Sequence, residues 1–369
     1  MRIVAAIAEG LVDAALTDAV LAAGRAAGLD AVGVAPATPF VRAREALESR
    51  KRLGLHGGMA FTYKNPARST DPQAALEGAR AIVVGARSYR IAPTAPTSMR
   101  PTAVVARYAQ RDHYRLLGEG LRAVAAELKA AGFKARVVAD DNALVDREAA
   151  YRAGLGWFGK SANILLPGKG SWFVLGSVVT DAPLATNDLP VADGCGSCRR
   201  CVDGCPTGAI VAPGVVDARR CLAWLVQSPG VFPRDTRASL GNRLYGCDEC
   251  QEVCPPNIVA DRRGDEPEVA RGVDVLDLLA ASDETLLERH GRWYIPDRAV
   301  RYLRRNALIV LGNTADGDDP EVELTLRTYL THDDELLRAH ACWAADRLGR
   351  RDLLALVADD ASPLVRAEL

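Results

Sequence analysis

The sequence predicts an α+β protein built from three successive parts. Up to about residue 185, helical stretches alternate with short apolar runs of the kind that form buried strands. Eight of the nine cysteines then fall between positions 195 and 254. Beyond about residue 273, apolar positions return at helical spacing. This order indicates an α/β or α+β first part, a cysteine-rich module and a helical tail.

Local patterns locate the elements of the first part. The predicted helices cover residues 11–28, 39–53, 113–131 and a short stretch before Gly154, and the predicted strands cover residues 31–35, 81–84, 136–139, 164–166 and 172–179. The N-terminal apolar stretch is interrupted by Glu9, Asp13 and Asp18. It is therefore typical of a helix face and not of a signal peptide or a membrane span.

The spacing of the cysteines predicts two [4Fe–4S] clusters. The first run is Cys195, Cys198, Cys201 and Cys205 with Pro206 next, and Cys221 precedes a second run of Cys247, Cys250 and Cys254 with Pro255 next. In two-cluster ferredoxins the first three cysteines of a run bind one cluster and the fourth binds the other. Cluster one therefore takes Cys195, Cys198, Cys201 and Cys254, and cluster two takes Cys205, Cys221, Cys247 and Cys250. Such clusters indicate one-electron chemistry.

Zinc and disulfide bonds are the alternatives for these cysteines. Zinc explains two C-x2-C pairs but leaves the other cysteines and the Cys-Pro ends without a role. Disulfides are disfavoured without a secretory segment, and so many free thiolates indicate a reducing cytoplasm. Cys342 lies in a helical pattern with Ala341 and Trp343, where we expect a buried apolar thiol.

Composition and charge limit the possible partners. The 369 residues suffice for two or three domains, and the net charge of −1 gives no global attraction for nucleic acid. A local strip does combine arginines with aromatic side chains: Arg289, Arg292, Arg298, Arg301, Arg304 and Arg305 with His290, Trp293, Tyr294 and Tyr302. Such residues bind RNA phosphates and bases, and they also occur on solvated helix faces.

The tail contains a loose internal repeat. The pattern at residues 305–312 recurs at residues 338–349, and residues 365–367 resemble the start of a third unit. Helix pairs with arginine at a fixed place predict HEAT-like repeats. The charged, turn-rich residues 259–272 before the tail predict a linker.

Several blocks of sequence lie before, within and after the cysteine module. They are D-D-N-A-L-V-D-R at residues 140–147, A-G-L-G-W-F-G-K at 153–160, G-S-W-F-V-L-G at 170–176, H-G-G-M at 56–59, Y-A at 108–109, D-A-R-R-C at 217–221, Y-G-C-D at 245–248 and R-N-A at 305–307. Taken in their order along the chain, these blocks resemble the epoxyqueuosine reductase family, the cobalamin and iron–sulfur enzymes that complete queuosine in tRNA. The resemblance covers nearly the whole chain.

The resemblance implies three domains and a third cofactor. It implies a reductive-dehalogenase-like corrinoid-binding domain at residues 1–188, a ferredoxin-like two-cluster domain at 189–258 and a HEAT-like domain at 273–369. The resemblance implies cobalamin bound in the base-off form. The D-x-H-x-x-G motif that supplies a histidine ligand to cobalt in other cobalamin proteins is missing, so the cobalt face is expected to be open to substrate. The implied cofactor contacts are Asp140, Tyr108, His113, Asn163, Gly176 and Ser228.

The resemblance also implies the partners. The first is a tRNA with a modified wobble base, contacted by Arg298, Arg301 and Arg305. The second is a ferredoxin or flavodoxin-type electron donor. The protein is expected in the cytoplasm, without contact to the membrane. The chain departs from the family pattern at Ala143 and Asp146, at Asp112-His113-Tyr114 and at Val226-Gln227-Ser228. The alternative functions are therefore reduction of a small epoxide or halogenated molecule, or electron transfer by a non-catalytic scaffold.

Asp140 aligns with the catalytic acid of the family. Opening an epoxide leaves an alkoxide, which needs a proton from a group within hydrogen-bond reach. A carboxylic acid supplies that proton at neutral pH only if burial raises its pKa. The alternative is a helix N-cap, a role that we assign to Asp141 or Asn142. Arg147 is expected to form a structural ion pair.

A glycine-rich turn follows at Gly154, Gly156 and Gly159. Its spacing is not that of a dinucleotide loop after a strand, so it predicts a tight turn or close approach to a flat cofactor. Lys160 at its end is expected to face a phosphate or solvent.

Overall fold

The computed structural model describes residues 12–91, 100–187, 189–263 and 272–369, so the expectation about residues 1–11 lies outside it. The first part contains α1 (Ala14–Ala26), β1 (Ala31–Pro36), α2 (Val41–Arg52), α3 (Pro66–Ser69), α4 (Pro72–Ala75), β2 (Ala81–Ser88), β3 (Thr102–Val105), α5 (Arg107–Gln110), α6 (His113–Ala130), β4 (Ala135–Ala139), α7 (Asp146–Arg152), β5 (Trp157–Phe158), β6 (Ile164–Leu165) and β7 (Phe173–Thr180). Among the described residues, no helix is long and apolar enough to cross a membrane.

A four-stranded antiparallel sheet in the order β1-β2-β7-β4 forms the centre of this part. Helix α6 covers one face with Leu117, Leu121, Val124 and Leu128, which recur every three or four residues and are fully buried. Helix α7 and the segment before α2 cover the other face. Strand β4 is an edge strand whose last residue pairs with the middle of β7, and the chain leaves it at Asp140.

The cysteine module consists of short elements. They are α8 (Arg200–Asp203), β8 (Ile210–Ala212), β9 (Val215–Val216), α9 (Leu222–Leu225), α10 (Arg234–Leu240), β10 (Arg243–Tyr245), α11 (Glu249–Glu252) and α12 (Pro255–Arg263). The prediction of a linker from residue 259 was wrong for residues 259–263, because α12 continues through them. The rest of that segment up to residue 271 lies outside the described residues.

The tail is mainly helical. It contains β11 (Val273–Asp274), α13 (Val275–Ala280), α14 (Asp283–His290), a 3-10 turn (Pro296–Arg298), α15 (Arg301–Thr314), α16 (Pro320–Leu330), α17 (Glu335–Arg347), a second 3-10 segment (Arg351–Val357) and α18 (Pro363–Arg366). Its core also includes buried residues of α9, α10 and β10 and of β3, and a small sheet in the order β10-β3-β11 joins these segments. Cysteine module and tail therefore share one hydrophobic core.

Candidate cofactor and catalytic site

The eight cysteines of the module lie in loops and short helices at its surface. All eight are partly exposed, whereas Cys342 is fully buried in α17, which confirms the prediction for that thiol. A tight turn shapes the first loop, because the backbone N–H of Cys198 donates to the carbonyl of Cys195 at 2.9 Å. No group of three or more His, Cys, Asp or Glu side chains among the described residues converges tightly enough to hold a single metal ion.

The thiols influence one another electrostatically, most of them within the two predicted sets. Burial raises the pKa of Cys254 to about 11, and the thiols of Cys201, Cys195 and Cys198 contribute to the rise. Burial likewise raises the pKa of Cys247 to about 12, with contributions from Cys221 and Cys205. The pKa of Cys250 is raised by burial and then by Cys247 and Cys221, with a smaller contribution from Cys201 of the first run. The eight thiols thus lie near one another, and their division into two sets of four stays a prediction.

Polar groups point at the sulfurs of the second set. The Sγ of Cys205 accepts the backbone N–H of Ala209 at 3.3 Å. Burial works to raise the pKa of Cys205, but the N–H groups of Thr207 and Ala209 lower it below its usual value. The Nδ2 of Asn163 lies 4.0 Å from the Sγ of Cys250. Asn163, predicted to bind a cofactor, thus lies beside the second set of thiols.

Asp140 follows the last residue of β4 in an unusual backbone conformation. Its φ is 50°, in the left-handed region that aspartate tolerates better than most residues. Helix α7 begins only at Asp146, and its N-cap, Val145, offers no side-chain hydrogen bond. Asp141 closes a turn instead, accepting the N–H of Ala143 at 2.8 Å. The prediction that Asp141 or Asn142 caps this helix was therefore wrong.

A set of acidic and phenolic groups surrounds the Asp140 carboxylate. Burial raises the pKa of Asp140, and Asp141 raises it further. The pKa of Asp146 is raised well above its usual value by burial and by Asp140, and its Oδ1 is buried without a partner among the described residues. Burial and then Asp140 and Asp146 raise the pKa of Tyr114. Two carboxyl groups and a phenol thus lie near one another, with Asp146 and Tyr114 half-buried and Asp140 open to solvent on one side. We call these three residues and their surroundings the Asp140 region.

A row of aromatic rings leads from the sheet to the tail. The ring centroids of Tyr89 and Tyr108 are 6.4 Å apart, those of Tyr108 and Tyr245 6.4 Å, and those of Tyr245 and Trp293 4.6 Å. The hydroxyl of Tyr108 also accepts Nε2 of Gln227 at 3.2 Å. Tyr108, predicted to bind a cofactor, therefore lies where the sheet core meets the core of the tail.

His113, also predicted to bind a cofactor, is buried next to this row. Its ring centroid lies 6.0 Å from that of Tyr89, and neither ring nitrogen has a partner among the described residues. Burial lowers the pKa of His113 to about 4, and the charge of Arg111 lowers it further. The imidazole is therefore neutral at physiological pH and able to pair with a polar group.

Two further predicted cofactor contacts are explained by packing. A Cβ at Gly176 would lie 2.8 Å from Leu121 and 3.1 Å from Leu117, so glycine at this position lets α6 lie close on the sheet. The Oγ of Ser228 donates to the carbonyl of Leu225 at 3.0 Å and ends α9. These contacts give both residues a role in the fold, and their contact with a cofactor stays a prediction.

Arg147 differs from its prediction. It is exposed, and its side chain forms no ion pair among the described residues, so the expected structural ion pair was wrong. It lies close enough to Tyr114 and Cys221 to lower the pKa of each, against the larger effect of burial. The guanidinium therefore lies between the Asp140 region and the second set of thiols.

The arginine strip separates into buried and accessible members. Arg298 is exposed, and Arg301 is partly exposed with an ion pair to Asp334 at 3.0 Å. Arg305 is fully buried, and its guanidinium donates to the carbonyls of residues 225, 226, 228 and 230. The prediction that Arg305 contacts tRNA is therefore corrected, because its donors are used inside the protein.

The glycine-rich turn is tight, as predicted. Gly154 ends α7 with a φ of 68°, and a Cβ at Gly156 would lie 2.1 Å from the carbonyl oxygen of Leu165. Lys160 is half-buried. Its Nζ donates to the carbonyls of Gly196 at 2.6 Å and Cys198 at 2.9 Å, on the first cysteine loop.

Comparisons with known proteins agree with this architecture. Residues 194–257 match the family described as the 4Fe-4S double cluster binding domain. An epoxyqueuosine reductase of Bacillus anthracis is 32% identical over 344 residues, covering 89% of this chain and 88% of the relative. One of Xanthomonas campestris is 38% identical over 311 residues, covering 80% and 86%. The chain belongs to the epoxyqueuosine reductase family.

Solved epoxyqueuosine reductases have the same fold. One, crystallised with an epoxyqueuosine-modified stem loop of tRNA-Tyr, has a TM-score of 0.85 at 28% identity, with 96% of both chains covered. Another, from Bacillus subtilis with its catalytic aspartate loop swung out of the active site, has a TM-score of 0.86 at 28% identity and the same coverage. The predictions of the family, the α+β class and the double-cluster module are confirmed.

Proposed function

We propose that this protein removes the epoxide oxygen of epoxyqueuosine in tRNA, using a corrinoid that receives electrons through two [4Fe–4S] clusters. The observation that carries the proposal is the Asp140 carboxyl group. Its pKa is raised by burial, and it lies after β4, close enough to Tyr245 of the two-cluster module to raise the pKa of that tyrosine. Membership of the epoxyqueuosine reductase family supports the substrate.

We infer the ligands of the two clusters from the spacing of the cysteines, and the electrostatic contacts between the thiols support the assignment. We assign Cys195, Cys198, Cys201 and Cys254 to cluster one, and Cys205, Cys221, Cys247 and Cys250 to cluster two. Cluster two is the inner cluster, because Cys221 lies near Arg147 and the Asp140 region. Electrons from a ferredoxin or flavodoxin-type donor then enter at cluster one.

The residues of the Asp140 region fit a corrinoid. The phenol rings nearby suit a large flat ligand, and the unpaired buried nitrogens of His113 and Oδ1 of Asp146 suit polar side groups. When bound, a corrinoid supplies a strongly reducing cobalt centre. Tyr108 and His113 are proposed contacts, whereas Gly176 and Ser228 support the surrounding fold.

Asp140 supplies a proton to the departing oxygen. Loss of an epoxide oxygen as water breaks two C–O bonds, forms a C=C bond and consumes two electrons and two protons. A carboxyl group with a raised pKa keeps its proton at higher pH, and it can donate that proton as negative charge develops on the oxygen. Since the residue is exposed, water can reprotonate it for the second transfer.

The tRNA is proposed to approach along Arg298 and Arg301. These residues are accessible, and they lie on the same tail as the aromatic side chains of the strip. The crystallised relative with a bound tRNA stem loop supports a nucleic acid substrate for this chain. A tRNA substrate supports the proposal that the protein acts in the cytoplasm.

Reconstitution with defined components tests the proposal. The anaerobically reconstituted protein should hold about eight irons, from two four-iron clusters. It should shift the visible spectrum of cobalamin to that of the base-off form and convert epoxyqueuosine in tRNA to queuosine with a chemical reductant. Protein that holds both cofactors, ignores the tRNA and reduces a small epoxide would instead be a small-molecule reductase. Protein that holds clusters but no corrinoid would be an electron carrier.

A further inference from the structure

Lys160 binds directly to the loop that carries two ligands of cluster one. Its ammonium group donates to the carbonyls of Gly196 and Cys198 at 2.6 and 2.9 Å. The backbone of Lys160 is itself held, because its carbonyl accepts the N–H of Gly214 at 2.9 Å. A positive charge is therefore fixed between Cys195 and Cys198, and it comes from the glycine-rich turn of the first part of the chain.

The other charged groups near this loop are less firmly placed. Arg199 and Arg200 are exposed, and Arg199 is paired with Asp203 at 3.3 Å. The Asp193 carboxylate accepts the N–H of Cys195 at 2.9 Å, but Asp193 is exposed as well. Water and salt screen exposed charges much more than partly buried ones. Lys160 differs from them in that it is half-buried and its ammonium group is held by two carbonyls of the loop itself.

A fixed cation changes how readily a cluster accepts an electron. Reduction adds one negative charge to a [4Fe–4S] cluster, and a nearby positive charge stabilises that charge. The net charge, hydrogen bonding and solvent exposure around a cluster set its reduction potential within a wide range. A cation beside cluster one and not beside cluster two would raise the potential of the outer cluster selectively.

We propose that Lys160 tunes the reduction potential of cluster one, so that the outer cluster fills first and holds the electron supplied by the donor. The proposal rests on the cluster assignment given under the proposed function. It makes Lys160 a positioning residue, because its charge acts through the cluster and does not touch the substrate. Electron storage at cluster one then precedes transfer to the inner cluster.

A redox titration of the clusters in the full-length reconstituted protein, followed by electron paramagnetic resonance without corrinoid or tRNA, tests this role. Lys160→Gln keeps a donor for the loop carbonyls but removes the charge. It should retain about eight irons and make cluster one about tenfold harder to reduce at a fixed potential, a shift of about 59 mV for one electron. Cluster two should keep its potential, and Lys160→Arg should restore that of cluster one.

Lys169→Gln is the matched control. Lys169 also donates to a backbone carbonyl, that of Asp30 at 2.7 Å, but it is outside the cysteine module and should leave both potentials unchanged. An unchanged cluster-one potential in Lys160→Gln overturns the tuning role, and so does loss of cluster one from that variant, since Lys160 would then only anchor the loop. Wild-type protein without two four-iron clusters would instead contradict the proposed function.

Discussion

At the scale of single residues, Asp140 combines an unusual backbone with a raised pKa. A left-handed φ costs a non-glycine residue of L configuration roughly 1–2 kcal/mol, and aspartate and asparagine tolerate it best. The conformation directs the chain away from edge strand β4 at the point where Asp146 and Tyr114 lie nearby. Backbone and electrostatics thus both distinguish this aspartate from its neighbour Asp141.

Replacing Asp140 by Asn tests its role as the proton donor. The variant keeps the size of the side chain and tolerates the same backbone, so iron content and corrinoid binding should be unchanged. Turnover should fall by roughly 10²–10⁴-fold, the usual contribution of a positioned acid. Near-normal turnover in Asp140→Asn contradicts the assignment. In the control Asp141→Ala, the loss of one turn hydrogen bond should cost about 1 kcal/mol of stability, and turnover should fall much less than in Asp140→Asn, because Asp140 is still present and keeps its proton, although at a lower pH.

The pH dependence of the same reaction provides a second measurement. An acid catalyst must be protonated, so wild-type turnover should decline as the pH rises through the pKa of Asp140. Because burial and Asp141 raise that pKa, the decline should lie at higher pH than for an ordinary aspartate. The residual activity of Asp140→Asn should lack this limb of the profile. Persistence of the limb in the variant would assign it to another group, such as Asp146.

Arg305 illustrates how a residue type can mislead. The sequence groups Arg305 with Arg298 and Arg301, yet its guanidinium donates hydrogen bonds to four backbone carbonyls inside the shared core. Arg305→Met should therefore lower the free energy of unfolding by about 3 kcal/mol, because buried acceptors lose their donors. Thermal unfolding of the holoprotein measures this. The exposed Arg298→Gln should unfold like the wild type, and equal stability of the two variants would contradict the buried role.

At the scale of elements, the helices and strands that a local sequence pattern defines were predictable. Helix α6 and strand β7 lie within one or two residues of their predicted limits, since apolar spacing alone defines them. The sheet of β3, β10 and β11 was not predictable, because strands of two to four residues pair across more than a hundred positions. The charged residues of α12 likewise concealed a helix in the predicted linker.

Prediction of the candidate site from the sequence was limited in the same way, to features that a local pattern defines. The cysteine ligands were predictable because their spacing is itself the signal. Asp146, Tyr114 and the position of Lys160 were not, because their importance depends on contacts between segments distant in sequence. The departures from the family pattern at Asp146 and at residues 112–114 were the one available hint. They fall in the Asp140 region.

Helix α12 also holds the cysteine module against the sheet. Its Asn257 is fully buried, and its Oδ1 accepts the N–H of Ser171 at 2.6 Å, just before β7. Its Nδ2 donates to the Oγ of Ser171 at 2.9 Å and to the carbonyl of Gln251 at 2.8 Å. Gln251 in turn donates to the hydroxyl of Tyr89 at 3.0 Å. A buried polar network therefore connects residues between Cys250 and α12 to the first part of the chain.

Asn257→Leu should break this connection. The variant leaves several buried polar groups unpaired, which should lower the free energy of unfolding by about 3 kcal/mol. Iron should be lost more readily on heating, because the network adjoins Cys250 and Cys254. The control Asn187→Leu removes a single turn hydrogen bond from an exposed side chain and should change little. Equal thermal stability and equal iron retention in the two variants would contradict the role of the network.

At the scale of the whole molecule, the proposed cofactor region lies where the cores meet. Tyr108 packs against both the sheet core and the core shared by the cysteine module and the tail. The division at residues 1–188, 189–258 and 273–369 remains a proposal about chain organisation, and the shared core shows that its second and third parts pack together. A tRNA bound to the tail would therefore act on a site built from all three parts.

The accessible part of the arginine strip provides the test at this scale. Neutralising Arg298 and Arg301 together should weaken tRNA binding, and the slope of log affinity against log salt should fall by about 0.7–0.9 for each phosphate that the protein no longer neutralises. Iron content and the corrinoid spectrum should not change, because neither side chain enters the site. The control Arg351→Gln neutralises an arginine of the same tail that is 78% exposed and paired with Asp346; it should leave the salt slope as it is. Unchanged affinity and slope in the double variant would make the strip an ordinary solvated surface, and the tRNA would then have to approach by another face.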